Sequence, residues 1–137
     1  MTLYYIEMDL SEGASRTSSP THEERNAFIL RHTLCVVSWI YAFWNGLFGV
    51  MAANMPQKTE GLYDPRLILL HAGLLGLAGT LQWKPRRGAL AATLAAIAGS
   101  LFFAGLDLQR HHVETAFIDG AYAPLAGLLL FKSRPPA

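Results

Sequence analysis

Four apolar runs fill the stretch between His32 and Lys132, roughly Thr33–Ala53, Leu67–Trp83, Gly88–Leu108 and Ala116–Phe131. Each approaches the ~20 residues an α-helix needs to cross a hydrocarbon core of about 30 Å. A chain of 137 residues leaves no room for a soluble domain around them. The expectation is all-α: an integral membrane four-helix bundle, residues 21–137, with an N-terminal cytoplasmic extension, the polar tail 1–20.

Composition decides the same way. Charged residues make up 15% of the chain and mean hydropathy is +0.26, whereas soluble domains carry about 25% charged residues. The net charge of +1 is scattered, so no basic face is built for nucleic acid. Cys35 is the only cysteine. By itself it makes neither an internal disulfide nor a CxxC pair nor a thiolate zinc site, which removes the thiol-oxidising membrane enzymes. It reads as a small buried apolar residue. Acidic residues at Glu7, Asp9, Glu12, Glu23 and Glu24 precede a first apolar run too long for an h-region, so no cleavable signal peptide is expected.

Local signals place the helix ends. Thr21-His22-Glu23-Glu24 fits a capping box, so helix 1 is expected to start near His22 and run to Asn54, about 50 Å. Pro56 opposes its continuation. Asp64-Pro65 supplies an N-cap and first-turn proline for helix 2. The short basic connection Lys84–Arg87 makes helices 2 and 3 a tight antiparallel hairpin. Helix 4 follows a polar loop around Gln109–Thr115 and carries Pro124 internally, where a kink or local unwinding is expected. With four spans, Arg16, Arg25, Arg31, Lys84, Arg86, Arg87, Lys132 and Arg134 share one side, against Lys58, Arg66 and Arg110 on the other. The positive-inside rule makes both termini cytoplasmic, in a bacterial-type inner membrane.

Small residues are dense where helices should touch: Gly73, Gly76 and Gly79 in helix 2, and the rows Gly88-Ala92-Ala96-Ser100 and Ala91-Ala95-Gly99 in helix 3. Helices in lipid associate through close backbone approach, which small residues permit. Packing within the chain explains these rows; one face could instead receive a partner helix. Asn45, roughly mid-membrane, is expected to hydrogen-bond across helices.

His71 is the main candidate for chemistry, about 9 Å deep from the outer end of helix 2. Asp107, His111, His112, Asp119 and Tyr122 belong to the same end and could form one polar cluster with it. Intramembrane ionisable groups face a bundle interior or a watery cavity. His71 could serve as a haem or metal ligand, a proton relay or a quinone contact, but a structural histidine, one that could pair with Asp119, is the simpler reading. His32 and His71 should lie about 25 Å apart, too far to share one iron. No metal-ligand pattern is sustained, and no cofactor is specified.

From helix 1 onward the chain resembles the YgdD-like family of small four-helix membrane proteins, whose molecular role is undefined. The resemblance rests on Gly46-Leu47-Phe48-Gly49, Leu70-His71-Ala72-Gly73-Leu74, Gly99-Ser100-Leu101-Phe102 and Ala123-Pro124-Leu125-Ala126-Gly127. Met51 stands where that family has a histidine, and the family's terminal Gly-Trp is missing. The resemblance implies a fold more than an activity.

With no catalytic constellation, the chain is expected to be a non-enzymatic accessory subunit or assembly factor of a larger membrane complex, with respiratory and photosynthetic complexes as candidates. Its partners would be membrane lipids and other integral membrane subunits. The alternatives are a haem- or quinone-binding redox module using His71, and a small oligomeric transporter.

Overall fold

The computed structural model describes residues 19–55, 64–84 and 87–133. Four helices account for nearly all of them: α1 (His22–Asn54), α2 (Pro65–Trp83), α3 (Ala89–Gln109) and α4 (Val113–Lys132). The tail and the basic residues Arg16, Lys58, Arg86 and Arg134 used for orientation lie outside the described residues.

Two of the helices begin where side chains satisfy free backbone groups. Thr21 and Glu24 close a reciprocal capping box, Glu24 N–H to Thr21 Oγ1 at 3.3 Å and Thr21 N–H to Glu24 Oε2 at 3.1 Å. Asp64 accepts from the N–H of Arg66 at 2.9 Å, and Pro65 opens α2. Gly88 precedes α3 with φ of 94°, a left-handed conformation that a Cβ would disfavour. Between α3 and α4 the chain reverses within three residues, and His111 takes up φ of 63° there. Helix α4 runs through Pro124 without interruption.

Three helices, α1, α3 and α4, are long and apolar enough to cross a membrane. Helix α2 falls short of that measure because Arg66, His71 and Gln82 lower its hydropathy. Two of these are turned inward: His71 and Gln82 are 4% and 5% exposed, while Leu67, Leu70 and Leu77 face out.

The bundle is a ring. Each helix packs on its neighbours in sequence, and α4 closes on α1; among the described residues the diagonal pairs make no close approach. The interior is narrow, built from Leu34, Leu75, Ala78, Ala92, Ala96, Tyr122, Ala126 and Leu129. Alanines on α3 and α4 let the backbones approach.

Polar bridges stitch the ring together. Between α1 and α2, Cys35 Sγ donates to the Gly79 carbonyl at 2.7 Å, and Trp39 Nε1 donates to Thr80 Oγ1 at 3.4 Å. Between α2 and α3, Gln82 Nε2 donates to Thr93 Oγ1 at 3.1 Å, and His71 Nε2 meets Ser100 Oγ at 3.2 Å. Between α4 and α1, Tyr122 and Ser38 hydroxyls lie 2.8 Å apart, and Tyr41 donates to the Ile118 carbonyl at 3.0 Å. At the α3–α4 seam the Asp119 carboxyl lies within hydrogen-bonding reach of Asp107. A polar group inside a bundle is costly unless partnered, so these pairs fix which helix faces which.

Several packing expectations need correction. Asn45 is buried, but its amide donates to the Tyr41 carbonyl one turn earlier at 2.9 Å. Its hydrogen bond is therefore within α1 rather than across helices. Gly73 is exposed, and among the described residues no heavy atom lies within 4 Å of an added Cβ, so it does not face a neighbouring helix there. Gly76 faces Ala42 and Gly79 faces Trp39, both on α1. The two α3 rows separate: Ala92, Ala96 and Ser100 are buried, whereas Ala91 and Ala95 are exposed.

Candidate functional site

The end of the bundle that carries the α3–α4 turn holds a cavity of about 330 Å³. All four helices reach it, because α1 and α3 finish there and α2 and α4 begin there. Trp44 and Phe48 come from α1, one turn apart with ring centroids 5.4 Å from each other. Ile68, Phe103 and Ile118 complete the apolar wall. The polar lining is Asp107, Asp119, Thr115 and His112.

Helical spacing explains why these groups converge. Phe103 and Asp107 are four apart on α3, as Thr115 and Asp119 are on α4, so each pair shares a face. The tight turn at Arg110–His112 brings the two faces together. Asp107 is 1% exposed although it sits near a helix end. The resulting site sets two adjacent carboxyls against three aromatic rings.

Of the six residues expected to cluster, Asp107, Asp119 and His112 meet at this cavity. His71 does not line it. Its ring lies against Phe103, centroids 5.2 Å apart, with Nε2 on Ser100. Asp119 pairs with Asp107, so the expected His71–Asp119 pair is not formed. Nδ1 of His71 is buried without a partner among the described residues and is held over Gly99, where a Cβ would come within 2.5 Å of it. Nε2 is thus engaged by Ser100 and Nδ1 lies over Gly99.

Tyr122 is spent on Ser38, and its ring packs on Tyr41 at 5.1 Å. His111 is exposed in the turn. Among the described residues no group of three or more His, Cys, Asp and Glu side chains converges as metal ligands would. The aromatic wall has a signal in the sequence in Trp44 and Phe48, four apart on α1, but only the ring closure sets them opposite Phe103.

Comparisons with protein-family models, curated proteins and solved structures find no match.

Proposed function

We propose that this chain is a non-catalytic accessory subunit or assembly factor of a larger membrane protein complex. The observation that carries the reading is the exposed small-residue face of α3. Ala91, Ala95 and Ala98 point away from the bundle, on the helix whose other small row is already used inside. A lipid-facing helix surface gains nothing from small side chains, whereas a partner helix packs closely on them.

In this reading all four helices span the bilayer with both termini on the cytoplasmic side. Helix α2, 19 residues long, covers about 28 Å. Its inward His71 and Gln82 are satisfied by Ser100 and Thr93, which leaves a leucine-rich face for lipid. Membership of the YgdD-like family is part of the same proposal. Three of the segments behind it sit at helix contacts: Gly49 against Leu69, and His71 over Gly99 and Ser100.

Mild-detergent purification of the tagged chain from its native membrane tests the subunit reading. Stoichiometric recovery with a larger complex is expected; recovery of the chain alone would overturn it. A second reading, a small oligomeric transporter, is favoured by the acid-lined cavity. It predicts solute flux in liposomes that is lost on Asp119→Asn. The redox alternative through His71 draws no support from the packing of that ring.

A further inference from the structure

We infer that the outer groove between α1 and α2, at the end where α1 begins and α2 finishes, binds one anionic phospholipid. Its phosphate sits at Lys84, and an acyl chain lies against Trp83 and Trp39. The inference rests on the reading that the bundle sits in a bilayer, and goes beyond it by naming a lipid class and its site.

The groove is built from the last turn of α2. Thr80, Leu81, Trp83 and the capping residue Lys84 face Trp39 of α1 across the seam and enclose about 200 Å³. Trp39 approaches closely because Gly79 has no side chain; a Cβ there would fall 2.6 Å from the indole. The indole N–H is taken up by Thr80, whose hydroxyl donates in turn to the Gly76 carbonyl at 2.8 Å. The volume is below the roughly 300–1,000 Å³ of pockets that enclose a whole small ligand. Such a groove takes one stretch of a longer molecule.

The rings continue outward as a ladder. Trp39 stacks on Trp83 at 5.7 Å, Trp83 meets His32 at 4.8 Å, and His32 lies on Phe28 at 3.9 Å. His32 Nδ1 donates to the Phe28 carbonyl at 2.8 Å, which holds that ring in place. From Phe28 to Trp39 the ladder covers about 16 Å of α1, close to one leaflet of a hydrocarbon core about 30 Å thick. Both indoles keep an open face, Trp39 at 40% and Trp83 at 46% exposure, at the level where interfacial tryptophans meet lipid.

Charge selects the headgroup. Arg25, Arg31, Lys84, Arg87 and Lys132 gather at this end, against Glu23 and Glu24 among the described residues. Glu24 is already used by the cap at Thr21. Basic side chains beside a bilayer attract anionic lipid, and Lys84 is the one that borders the groove. A free phosphate would use the charge but leave the indole wall without a role.

The test is tryptophan fluorescence of the full chain in lipid vesicles whose phosphatidylglycerol or phosphatidylcholine carries brominated acyl chains, since bromine quenches an indole only at contact. Trp44→Phe leaves Trp39 and Trp83 as the reporters. Brominated phosphatidylglycerol is expected to quench them saturably, with roughly fivefold or greater preference over phosphatidylcholine, a preference that about 0.5 M salt erodes. Lys84→Gln should remove most of it, while Lys132→Gln at the same end leaves it unchanged. Equal quenching by the two lipids would overturn the inference, as would equal loss in the two Gln variants, which would mean a diffuse basic collar. The wild-type and salt comparisons decide the matter without any change at Lys84. The converse chain, Trp39→Phe with Trp83→Phe, reports Trp44 at the opposite end. Quenching of Trp44 but not of Trp39 and Trp83 would mean that protein covers the groove, which overturns the lipid site and spares the bilayer reading. Quenching of no indole would overturn both.

Discussion

Gly99 carries more consequence than its size suggests. A Cβ there would fall 2.5 Å from His71 Nδ1 and 2.9 Å from Cε1. The ring is 4% exposed and held by Ser100 and Phe103, so it has nowhere to move. Gly99→Ala is therefore expected to destabilise by about 1–3 kcal/mol through overpacking, despite alanine's better helix propensity. Gly73→Ala is its control, since nothing lies within 4 Å of the added methyl; it should be neutral or stabilising by up to about 1 kcal/mol. Thermal unfolding in detergent separates the two, and equal melting temperatures would contradict the packing. A second residue-scale prediction concerns the buried Ser38–Tyr122 pair. Tyr122→Phe should cost about 0.5–1.5 kcal/mol, near the modest values typical of interhelical hydrogen bonds in membranes. Ser38→Ala added to it should cost little more, because the partner is already gone. Full additivity in that double-mutant cycle would mean the bond contributes nothing.

At the scale of elements, α1 is the longest helix, at 33 residues, and its first turns are exposed. Among the described residues, a capping box closes that start. Thr21→Ala should cost about 1 kcal/mol locally and fray the first turn. Faster amide exchange at Glu23–Arg25, with the core of α1 unchanged, is the expected outcome; unaltered exchange would mean the cap is not limiting. Helix α2 shows why averaged hydropathy misleads. His71 and Gln82 lower the mean, yet both are inward and bonded to α3, so the outer face of the helix is leucine-rich. What was legible here was the helix and its Asp64-Pro65 start. What was not legible was the direction in which its polar residues point, because the period of the pattern does not name the neighbour.

The whole molecule is a ring in which every neighbouring pair of helices is joined by a polar contact. Such a ring makes Cys35 a reporter of integrity. It is fully buried and donates to the Gly79 carbonyl, so it should resist a maleimide in the folded protein and react after denaturation. Labelling of the native protein would disprove that burial. In a background lacking Cys35, Asp64→Cys and Arg87→Cys flank α2 and should label from opposite faces of sealed vesicles if that helix crosses. Labelling from one face would leave three spans.

The sequence by itself determined four helices, the capped starts of α1 and α2, the hairpin between α2 and α3, and a bundle suited to lipid. These follow from run length and from local backbone chemistry, which neighbours in the chain carry. Only the tertiary structure decided that His71 pairs with Ser100 rather than Asp119, that Asn45 turns back on its own helix, and that Ala92 and Ala96 face in while Ala91 and Ala95 face out. It also set Trp44, Phe48 and Phe103 around two carboxyls from α3 and α4. Helical periodicity puts residues on a common stripe, but the rotation of each stripe toward its neighbour is fixed by packing and by the pairing of buried polar groups, and those are properties of the closed ring.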